Sequence, residues 1–378
     1  MELNTRMLVN TEELQNKVKV LNKINTKLGV DSVYMSVNFE ETELSFETQQ
    51  YFKNDIHCPV GTVVTVPFSG DSVLRDDLYY KVDGIKKLVK SLSLFKNDFI
   101  EIQLDVDHMQ TIFTDENKTI KLNFETKMIP GMVSDRFPNN EIKVYEDFNK
   151  EFSKHLRFFP KKDIRMSLSC LCCKERALFS TDSYRVAKTD LNKTYFEEQI
   201  LIPDMVVKFI NDTDNQVKTI MYEEKKGTVK NKKHIIIECD DYYIKYEYEI
   251  LDYPNLDRLM MGIVGDPIVN YNKKEILEVI SDLSIIKQDD NRHLAILDLS
   301  NNSITSKNQN NESMTYKFDD QSSDTNFKIG FDLDYFKDAV NQCSNSFKIR
   351  FQNKKHAPFY IDSGTQTNYL ILPININN

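Results

Sequence analysis

Six amphipathic helical patterns recur along the chain, and successive patterns begin roughly 60 to 70 residues apart. The patterns begin near Asn10, Tyr79, Val144, Leu201, Asn272 and Phe331. In the first of them, apolar residues return at Leu14, Val18 and Leu21, a spacing that places them on one face of a helix. Such a regular spacing predicts six copies of one structural unit and restricts the chain to folds that are built by repetition.

Strand-like sequences lie between the helical patterns, with apolar and polar residues in alternation. The predicted strands are Val33–Phe39, Glu43–Phe46, Phe99–Leu104, Ile120–Phe124, His234–Glu238, Tyr243–Tyr248, Leu294–Leu299, Phe347–Phe351 and Tyr369–Leu372. Each unit is therefore predicted to combine one helix with several antiparallel strands, which places the chain in the α+β class.

The length of the chain predicts more than one domain. Its 378 residues exceed what a single hydrophobic core usually supports, and pairing of neighbouring units gives three domains of a common size. Two stretches of turn-forming residues mark the boundaries: Ile129–Asn140, which contains Pro, Gly and Asn, and Met261–Pro267, which contains Gly and Pro. The predicted domains are residues 1–139, 140–262 and 263–378.

Basic residues are concentrated on the first three helical patterns, although the chain as a whole is acidic. The net charge of -9 argues by itself against general affinity for nucleic acid. Residues 10–27, 79–96 and 144–162 nevertheless carry a formal charge of about +8, which leaves about -17 for the rest. The basic residues predicted to share exposed helix faces are Lys19, Lys23, Lys27, Lys86, Lys90, Lys150, Lys154, Arg157, Lys161 and Lys162. These faces are either ordinary solvated surfaces or a surface that meets DNA.

The cysteines and the N-terminus predict a reduced protein of the cytoplasm. The sequence shows no signal peptide and no run of about 18 apolar residues, so we expect no membrane partner. Six scattered cysteines in such a protein are expected to be free thiols. Cys170, Cys172 and Cys173 lack a second Cys or His pair at zinc-finger spacing, which favours buried strand cysteines over metal ligands.

Catalytic motifs are absent from the sequence. It contains no phosphate-binding loop, dinucleotide-binding fingerprint, zinc-protease motif or nucleophile elbow, and its six histidines are far apart. We therefore predict a binding protein that is not an enzyme and needs no cofactor. Two alternatives stay open: an enzyme whose site assembles from dispersed residues, and a repeat-built interaction scaffold that does not act on DNA.

The most strongly patterned polar cluster is Thr181–Ala187, TDSYRVA. Before it, Ile164–Leu168 alternates apolar and polar residues and predicts a half-buried strand. Lys174 and Glu175 are predicted to form a turn, and Arg176–Ser180 a second strand that leads into the cluster.

This segment resembles the middle domain of the bacterial DNA polymerase sliding clamp, whose D-x-R-x-x-L strand is followed by T-D-x-x-R-L-A. Two further segments are similar to segments of the same family, in the same order: Tyr253–Leu259 (YPNLDRL) and Tyr369–Ile374 (YLILPI). The resemblance covers the chain from about residue 161 to its end, while the first 130 or so residues match only in their pattern of elements.

The resemblance implies a fold and a function. The fold would be three similar clamp domains, each with two helices packed on antiparallel sheets, and two copies would form a head-to-tail ring. The ring would encircle duplex DNA without sequence preference and tether the replicative DNA polymerase for processive synthesis. The basic helix faces would then meet DNA phosphates, and the polymerase and the clamp loader would bind through a short peptide motif.

The resemblance also implies a pocket that accepts a leucine and a phenylalanine of the partner peptide. Its predicted walls are Leu168, Thr181, Ser183, Tyr184, Arg185, Val186, Pro254, Leu259, Leu370, Leu372, Pro373 and Ile374. Arg185 is expected to hydrogen-bond the peptide backbone. Tyr184, Ser183 and Asn375 stand where the family usually has histidine, glycine and arginine, which indicates a divergent version such as that of a plasmid or phage.

Overall fold

The computed structural model describes most of the chain and divides it into two compact units. The described residues are 5–28, 32–38, 42–51, 59–69, 78–105, 108–125, 137–146, 148–161, 165–213, 215–226, 231–261, 268–288, 293–318, 327–352 and 357–375. The first unit is Met1–Phe148 with Asp212–Ile250, and the second is Asn149–Asn211 with Leu251–Asn378. The division into three domains at the predicted boundaries stays a prediction.

All six predicted helical patterns contain a helix. The described helices are α1 Thr11–Leu28, α2 Ile85–Leu92, α3 Phe148–Ser153, α4 Asp204–Thr213, α5 Leu256–Met261, α6 Lys273–Leu283 and α7 Leu333–Val340. The second begins later than predicted, because Leu78–Asp83 forms a strand and Gly84, at φ 82°, turns the chain into α2. Asp332, predicted in the first turn of the last helix, is instead its N-cap and accepts from two backbone N–H groups of α7.

The strands pair in antiparallel fashion throughout the described part of the chain. They are β1 Thr5–Asn10, β2 Ser32–Asn38, β3 Glu43–Tyr51, β4 Pro59–Ser69, β5 Leu78–Asp83, β6 Phe99–Asp105, β7 Gln110–Thr114, β8 Thr119–Glu125, β9 Asn140–Lys143, β10 Cys170–Glu175, β11 Ala177–Thr181, β12 Arg185–Asp190, β13 Phe196–Pro203, β14 Val217–Lys225, β15 Lys232–Cys239, β16 Tyr243–Glu249, β17 Ile268–Asn272, β18 Leu294–Asp298, β19 Ser303–Lys307, β20 Ser313–Lys317, β21 Lys328–Asp332, β22 Ser346–Arg350, β23 Phe359–Asp362 and β24 Thr367–Ile371. Every predicted strand after the first helical pattern overlaps one of these, apart from Ile164–Leu168.

The first unit contains a sheet in the order β1-β6-β7-β8-β5-β2-β3-β4-β16-β15-β14-β9. A further pairing of β1 with β4, at Leu8 with Ser69, joins the ends of the first eight strands into a closed ring. The N-terminal half of β4, at residues 60–63, pairs with β16. Lys245 of β16 and Glu47 of β3 form a buried ion pair of 2.8 Å across β4. Helix α1 packs on β3 and β4 and buries the predicted apolar stripe completely.

The second unit contains two sheets around one hydrophobic core. The larger has the order β13-β10-β11-β12-β24-β23-β22-β17, and the smaller has the order β20-β19-β18-β21. Helices α6 and α7 bury Ile276, Ile280 and Phe336 in the core that both sheets share. A single bridge between Gly330 and Ile374 ties the C-terminal segment to β21.

The strand predicted at Ile164–Leu168 is wrong for its described part. Residues Met166–Ser169 form a 3-10 turn, and the strand begins at Cys170, while Ile164 lies outside the described residues. The turn to β11 comes at Glu175, whose φ is 52°, close to its predicted place. A stretch of four residues can satisfy period two by chance, which explains the error.

The cysteines of β10 are buried, as predicted. Cys170, Cys172 and Cys173 are free thiols in the core, and burial raises the pKa of Cys172 to about 12. Within the described residues, no group of His, Cys, Asp and Glu side chains is arranged to hold a metal ion. None of the described helices is both long enough and apolar enough to span a membrane.

Candidate functional site

The loop that connects β11 to β12 is held by the protein's own side chains. Asp182 Oδ1 accepts hydrogen bonds from the backbone N–H groups of Tyr184 (3.0 Å) and Arg185 (3.1 Å). Thr181 Oγ1 accepts from the N–H of Ser183 (3.1 Å) and donates to the carbonyl of Arg185 (2.7 Å). Ser183 has φ 77°, a left-handed conformation that L-residues rarely adopt. The loop is therefore fixed before any partner arrives.

A cavity of about 150 Å³ opens beside this loop in the second unit. It is lined by Arg165, Leu168, Thr181, Ser183, Arg185, Val186, Pro254, Leu256, Leu259, Leu370 and Leu372. An apolar cavity of about 150 Å³ accommodates a benzene ring, so this one has room for one large apolar side chain.

The walls of the cavity differ in burial. Leu168, Val186 and Leu370 are buried, and the last two face each other because β12 pairs with β24. On the other side, Pro254 is exposed and Leu259 of α5 is 40% exposed. The floor is thus part of the core, while one side is accessible from solvent.

The structure brings together most of the residues predicted for the pocket. Those that line the cavity are Leu168, Thr181, Ser183, Arg185, Val186, Pro254, Leu259, Leu370 and Leu372. These residues are far apart in sequence. The pairing of β12 with β24 brings two of their segments together, and α5 contributes Leu259. Their role in binding a partner stays a prediction.

Three residues predicted for the pocket do not line the cavity. Tyr184 is 56% exposed and stacks on Tyr335 with ring centroids 6.2 Å apart. Ile374 lies further along, where its N–H donates to the carbonyl of Gly330 (2.7 Å). Pro373 is half-buried beside it. These residues border the site or lie beyond it.

Two lining residues, Arg165 and Leu256, were missed by sequence reasoning. Leu256 lies within the segment Tyr253–Leu259 that carries part of the resemblance, so a signal for it was present. The same segment is anchored by Tyr253, whose hydroxyl donates to the carbonyl of Phe179 (3.3 Å) and whose pKa is raised by burial. Arg165 is exposed and forms no ion pair within the described part of the chain. It stands at the arginine of the D-x-R-x-x-L motif, so a signal for it was present as well.

Arg185 lines the cavity, yet its guanidinium is engaged elsewhere. Its side chain is 2% exposed. Nε donates to Asp182 Oδ2 and Nη1 to Asp338 Oδ2, both at 2.8 Å, and Nη2 donates to the carbonyl of Arg157. The expected hydrogen bond from Arg185 to a bound peptide would require the side chain to leave these partners.

Two aromatic rings lie against this guanidinium. It lies 4.8 Å from the ring centroid of Phe158 and 4.2 Å from that of Tyr335. Phe158 in turn stacks on the buried Tyr369 at 5.0 Å, and Tyr335 contacts the exposed Tyr184. A column of four rings and one cation thus runs from the core to the surface at the edge of the cavity.

The third helix is shorter than predicted, and this changes the place of several basic residues. Helix α3 ends at Ser153, and the N–H groups of Lys154 and His155 donate to carbonyls three residues earlier, as in successive tight turns. Lys154, Arg157 and Lys161 therefore do not share a helix face, and the predicted helical spacing is wrong for them. Their orientation toward DNA stays a prediction.

Burial of His155 explains why the chain leaves the helix here. Its Nδ1 lies 2.8 Å from Ser180 Oγ and its Nε2 2.9 Å from Thr189 Oγ1, which in turn lies 2.6 Å from Thr367 Oγ1. The ring is completely buried, and burial lowers its pKa to about 3. The turns thus place a neutral imidazole between hydroxyl groups of two neighbouring strands, β11 and β12.

Four of the basic residues predicted to meet DNA have exposed side chains on α1 and α2: Lys19, Lys23, Lys86 and Lys90. They form no ion pair within the residues that the structure describes. Lys150 of α3 and Lys161 are also exposed, Lys27 belongs to α1 with a side chain that is not described, and Lys162 lies outside the described residues. A surface that meets DNA is still a prediction for all of them.

No protein-family model and no curated protein matches the sequence. Solved structures do match over nearly the whole chain. The DNA polymerase III subunit beta of Pseudomonas aeruginosa is 14% identical, covers 98% of this chain and 100% of its own, and has a TM-score of 0.73. This chain has the fold of a bacterial sliding clamp. The sliding clamp of Caulobacter crescentus (13% identity, 98% and 100% coverage, TM-score 0.74) and a putative beta subunit of Eubacterium rectale (17%, 99% and 100%, 0.71) agree.

The clamp fold confirms the predicted α+β class and the resemblance drawn from three short segments, at the level of the fold. The first 130 or so residues, which carried no family motif, are covered as well as the rest. At identities of 12% to 17%, the likeness is one of fold.

Proposed function

We propose that this chain is a DNA sliding clamp: a homodimeric ring that encircles duplex DNA and tethers a DNA polymerase for processive synthesis. The observation that carries the proposal is the clamp fold over at least 98% of the chain, with TM-scores of 0.73 and 0.74. A clamp acts by topological linkage, so it needs no catalytic group and no cofactor. The scaffold that does not act on DNA is not favoured, because nothing in the fold match points to it.

The charge distribution supports a loose, sequence-independent contact with DNA. Exposed lysines on α1 and α2 would neutralise phosphates without reading bases, which permits sliding. The remainder of the chain is strongly acidic and would repel DNA from other surfaces. Each lysine contributes one weak contact that salt screens, so retention would depend on the ring rather than on affinity.

The second unit offers a surface for a second copy of the chain. Strand β20 is the edge of its sheet and is almost wholly exposed. Ile285, just after α6, is 70% exposed, and the backbone next to it is tied to β19 by a hydrogen bond from Ser306 Oγ to Ile286 O. Among the described strands β20 has one neighbour, and a sheet edge beside an exposed aliphatic residue favours pairing with another chain.

Assembly is tested by mass photometry or sedimentation. We expect a species of twice the 44.3 kDa chain mass at micromolar concentration. Ile285→Asp is expected to shift the equilibrium toward monomer, because it places a charge in an apolar contact. Lys348→Asp, on an exposed position of β22, is the control and should leave the dimer intact. A parent protein that stays monomeric would argue against the ring.

DNA linkage is tested by retention on circular and linear duplex. After loading, the clamp should stay on circles and leave linear DNA, because linkage is topological. Replacing four exposed lysines of α1 and α2 by glutamate should abolish retention, whereas the same charge change on four exposed strand lysines should not. The helix set is Lys19, Lys23, Lys86 and Lys90, and the strand set is Lys143, Lys174, Lys232 and Lys348. Equal retention on both DNA forms would instead support the scaffold that does not act on DNA.

A further inference from the structure

Arg185, which lines the cavity, is bound by a residue of a helix that does not line it. Asp338 lies on α7, is absent from the lining residues, and binds Nη1 of Arg185 at 2.8 Å. The two residues are 153 positions apart in sequence, and the Asp338 side chain is 28% exposed. This ion pair is a direct link between α7 and the wall of the cavity.

Asp338 supplies the acceptor for Nη1 of Arg185. Asp182 is the other carboxylate on this guanidinium, and it also accepts two backbone N–H bonds of the loop. Without the carboxylate at position 338, Nη1 would lose its charged acceptor in a side chain that is 2% exposed. A hydrogen bond to a neutral group is weaker than one to a carboxylate, so the guanidinium would compete for Asp182 or turn toward the cavity.

Either movement changes the shape of the cavity. Asp182 holds the loop in which Ser183 has its left-handed conformation, and Thr181 and Ser183 both line the cavity. A strained loop persists only where its surroundings determine it, and Asp182 supplies two of the hydrogen bonds that do so. Loss of the carboxylate at position 338 would therefore change the positions of Thr181 and Ser183.

We propose that Asp338 is a positioning residue for the partner pocket, which it controls through Arg185. The proposal rests on the proposed function, because it assumes that the cavity binds a partner peptide. It goes further in making the binding-competent shape of the pocket depend on α7, an element that a bound peptide in this cavity need not touch.

The test measures binding of a fluorescent peptide of the Q-L-x-L-F type to the full chain at a temperature well below melting. Asp338→Asn keeps the size of the side chain and removes the charge, and we expect it to weaken binding about fivefold to tenfold. Asp334→Asn is the matched control. Asp334 is on the same helix and pairs with His293 at 2.8 Å, so its loss removes a similar contact without touching Arg185. It should leave peptide affinity unchanged.

A double-mutant cycle distinguishes positioning from general loosening. In an Arg185→Gln background, Asp338→Asn should change affinity less than twofold, because the residue through which it acts is gone. Asp338→Glu keeps a carboxylate at position 338, so it should bind the peptide more tightly than Asp338→Asn does. This comparison does not require the Arg185 variant to fold.

The outcomes separate the inference from the function. Peptide binding by the parent with unchanged affinity in Asp338→Asn would overturn the inference and leave the clamp proposal standing. Equal losses in Asp338→Asn and Asp334→Asn would also overturn it, since α7 would then act only through stability. No binding by the parent would overturn the proposed partner pocket and the inference with it, whereas retention on circular DNA would still be tested separately.

Discussion

The two sides of the cavity are built in opposite ways. On one side, the loop before β12 is fixed by hydrogen bonds, and Arg185 is enclosed by two carboxylates and two rings. On the other side, Leu259 is 40% exposed and Arg165 is exposed without an ion pair in the described part of the chain. The fixed side should govern stability and shape, and the open side should govern which partner is preferred.

The largest effect is expected from Arg185→Ala. It leaves Asp182 and Asp338 without their cation, and loss of one partner of a buried ion pair costs about 3 to 5 kcal/mol. Thermal or urea melting should show a clear loss of stability. Arg165→Ala is the control and should change stability by less than about 0.5 kcal/mol, as for most surface substitutions. Similar melting of the two variants would show that the two sides do not differ.

On the open side, Leu259→Ala should reduce peptide binding more than stability. An anchor contact in a pocket typically contributes about 2 kcal/mol, so affinity should fall roughly thirtyfold by fluorescence polarisation, while partial exposure of Leu259 limits the change in melting. Ile374→Ala serves as the control because Ile374 does not line the cavity. Equal weakening by both variants would mean that the cavity is not where the peptide binds.

The fixed side should also respond to acid through His155. Burial lowers its pKa from 6.5 to about 3, so the unfolded chain binds a proton more readily than the folded one between these values. Stability is therefore fully present above about pH 6.5 and is lost as pH falls, by about 1.4 kcal/mol per pH unit. Melting at pH 7.5 and 5.5 checks this. His155→Gln should remove that part of the pH dependence, and an unchanged dependence would contradict the assignment.

The smallest effect concerns Arg165. An exposed charge pair contributes less than about 1 kcal/mol, so Arg165→Glu should change the ratio of affinities for two peptides, one with Asp and one with Lys beside the anchor, by only about threefold to fivefold. Raising the salt concentration should reduce the change. Arg176→Glu, at the far end of β11, is the control. A change of more than tenfold would mean that Arg165 is buried on binding.

The fold could be predicted from sequence where periodicity was long. The helical pattern predicted the start of α1 to within one residue, and the predicted bounds of strands β6 and β16 differ from the observed ones by one residue. Strand β4 was missed because Gly61 and Pro67 interrupt its pattern. A strand tolerates proline at a position where the backbone N–H is not needed for pairing with a neighbouring strand. The end of α3 was missed because it depends on hydroxyls contributed by distant strands to His155.

The candidate site shows the same division. Motifs located most of the walls, because the wall residues belong to short segments with a fixed loop or strand conformation. The ion pair of Arg185 with Asp338 could not be predicted, because Asp338 lies on a helix and is 153 residues away in sequence. Arg165 stands at the arginine of the D-x-R-x-x-L motif, but the motif alone does not show that this exposed side chain borders a cavity.

The pairing of β4 with β16 has a consequence for synthesis of the chain. Strand β4 ends at Ser69, while β16 begins at Tyr243. A ribosome that adds about 5 to 20 residues per second therefore needs roughly 10 to 35 s before the second strand exists. During that interval the first half of β4 presents an open edge to other nascent chains. A translational pause within that stretch should increase aggregation, and one placed after β16 should not.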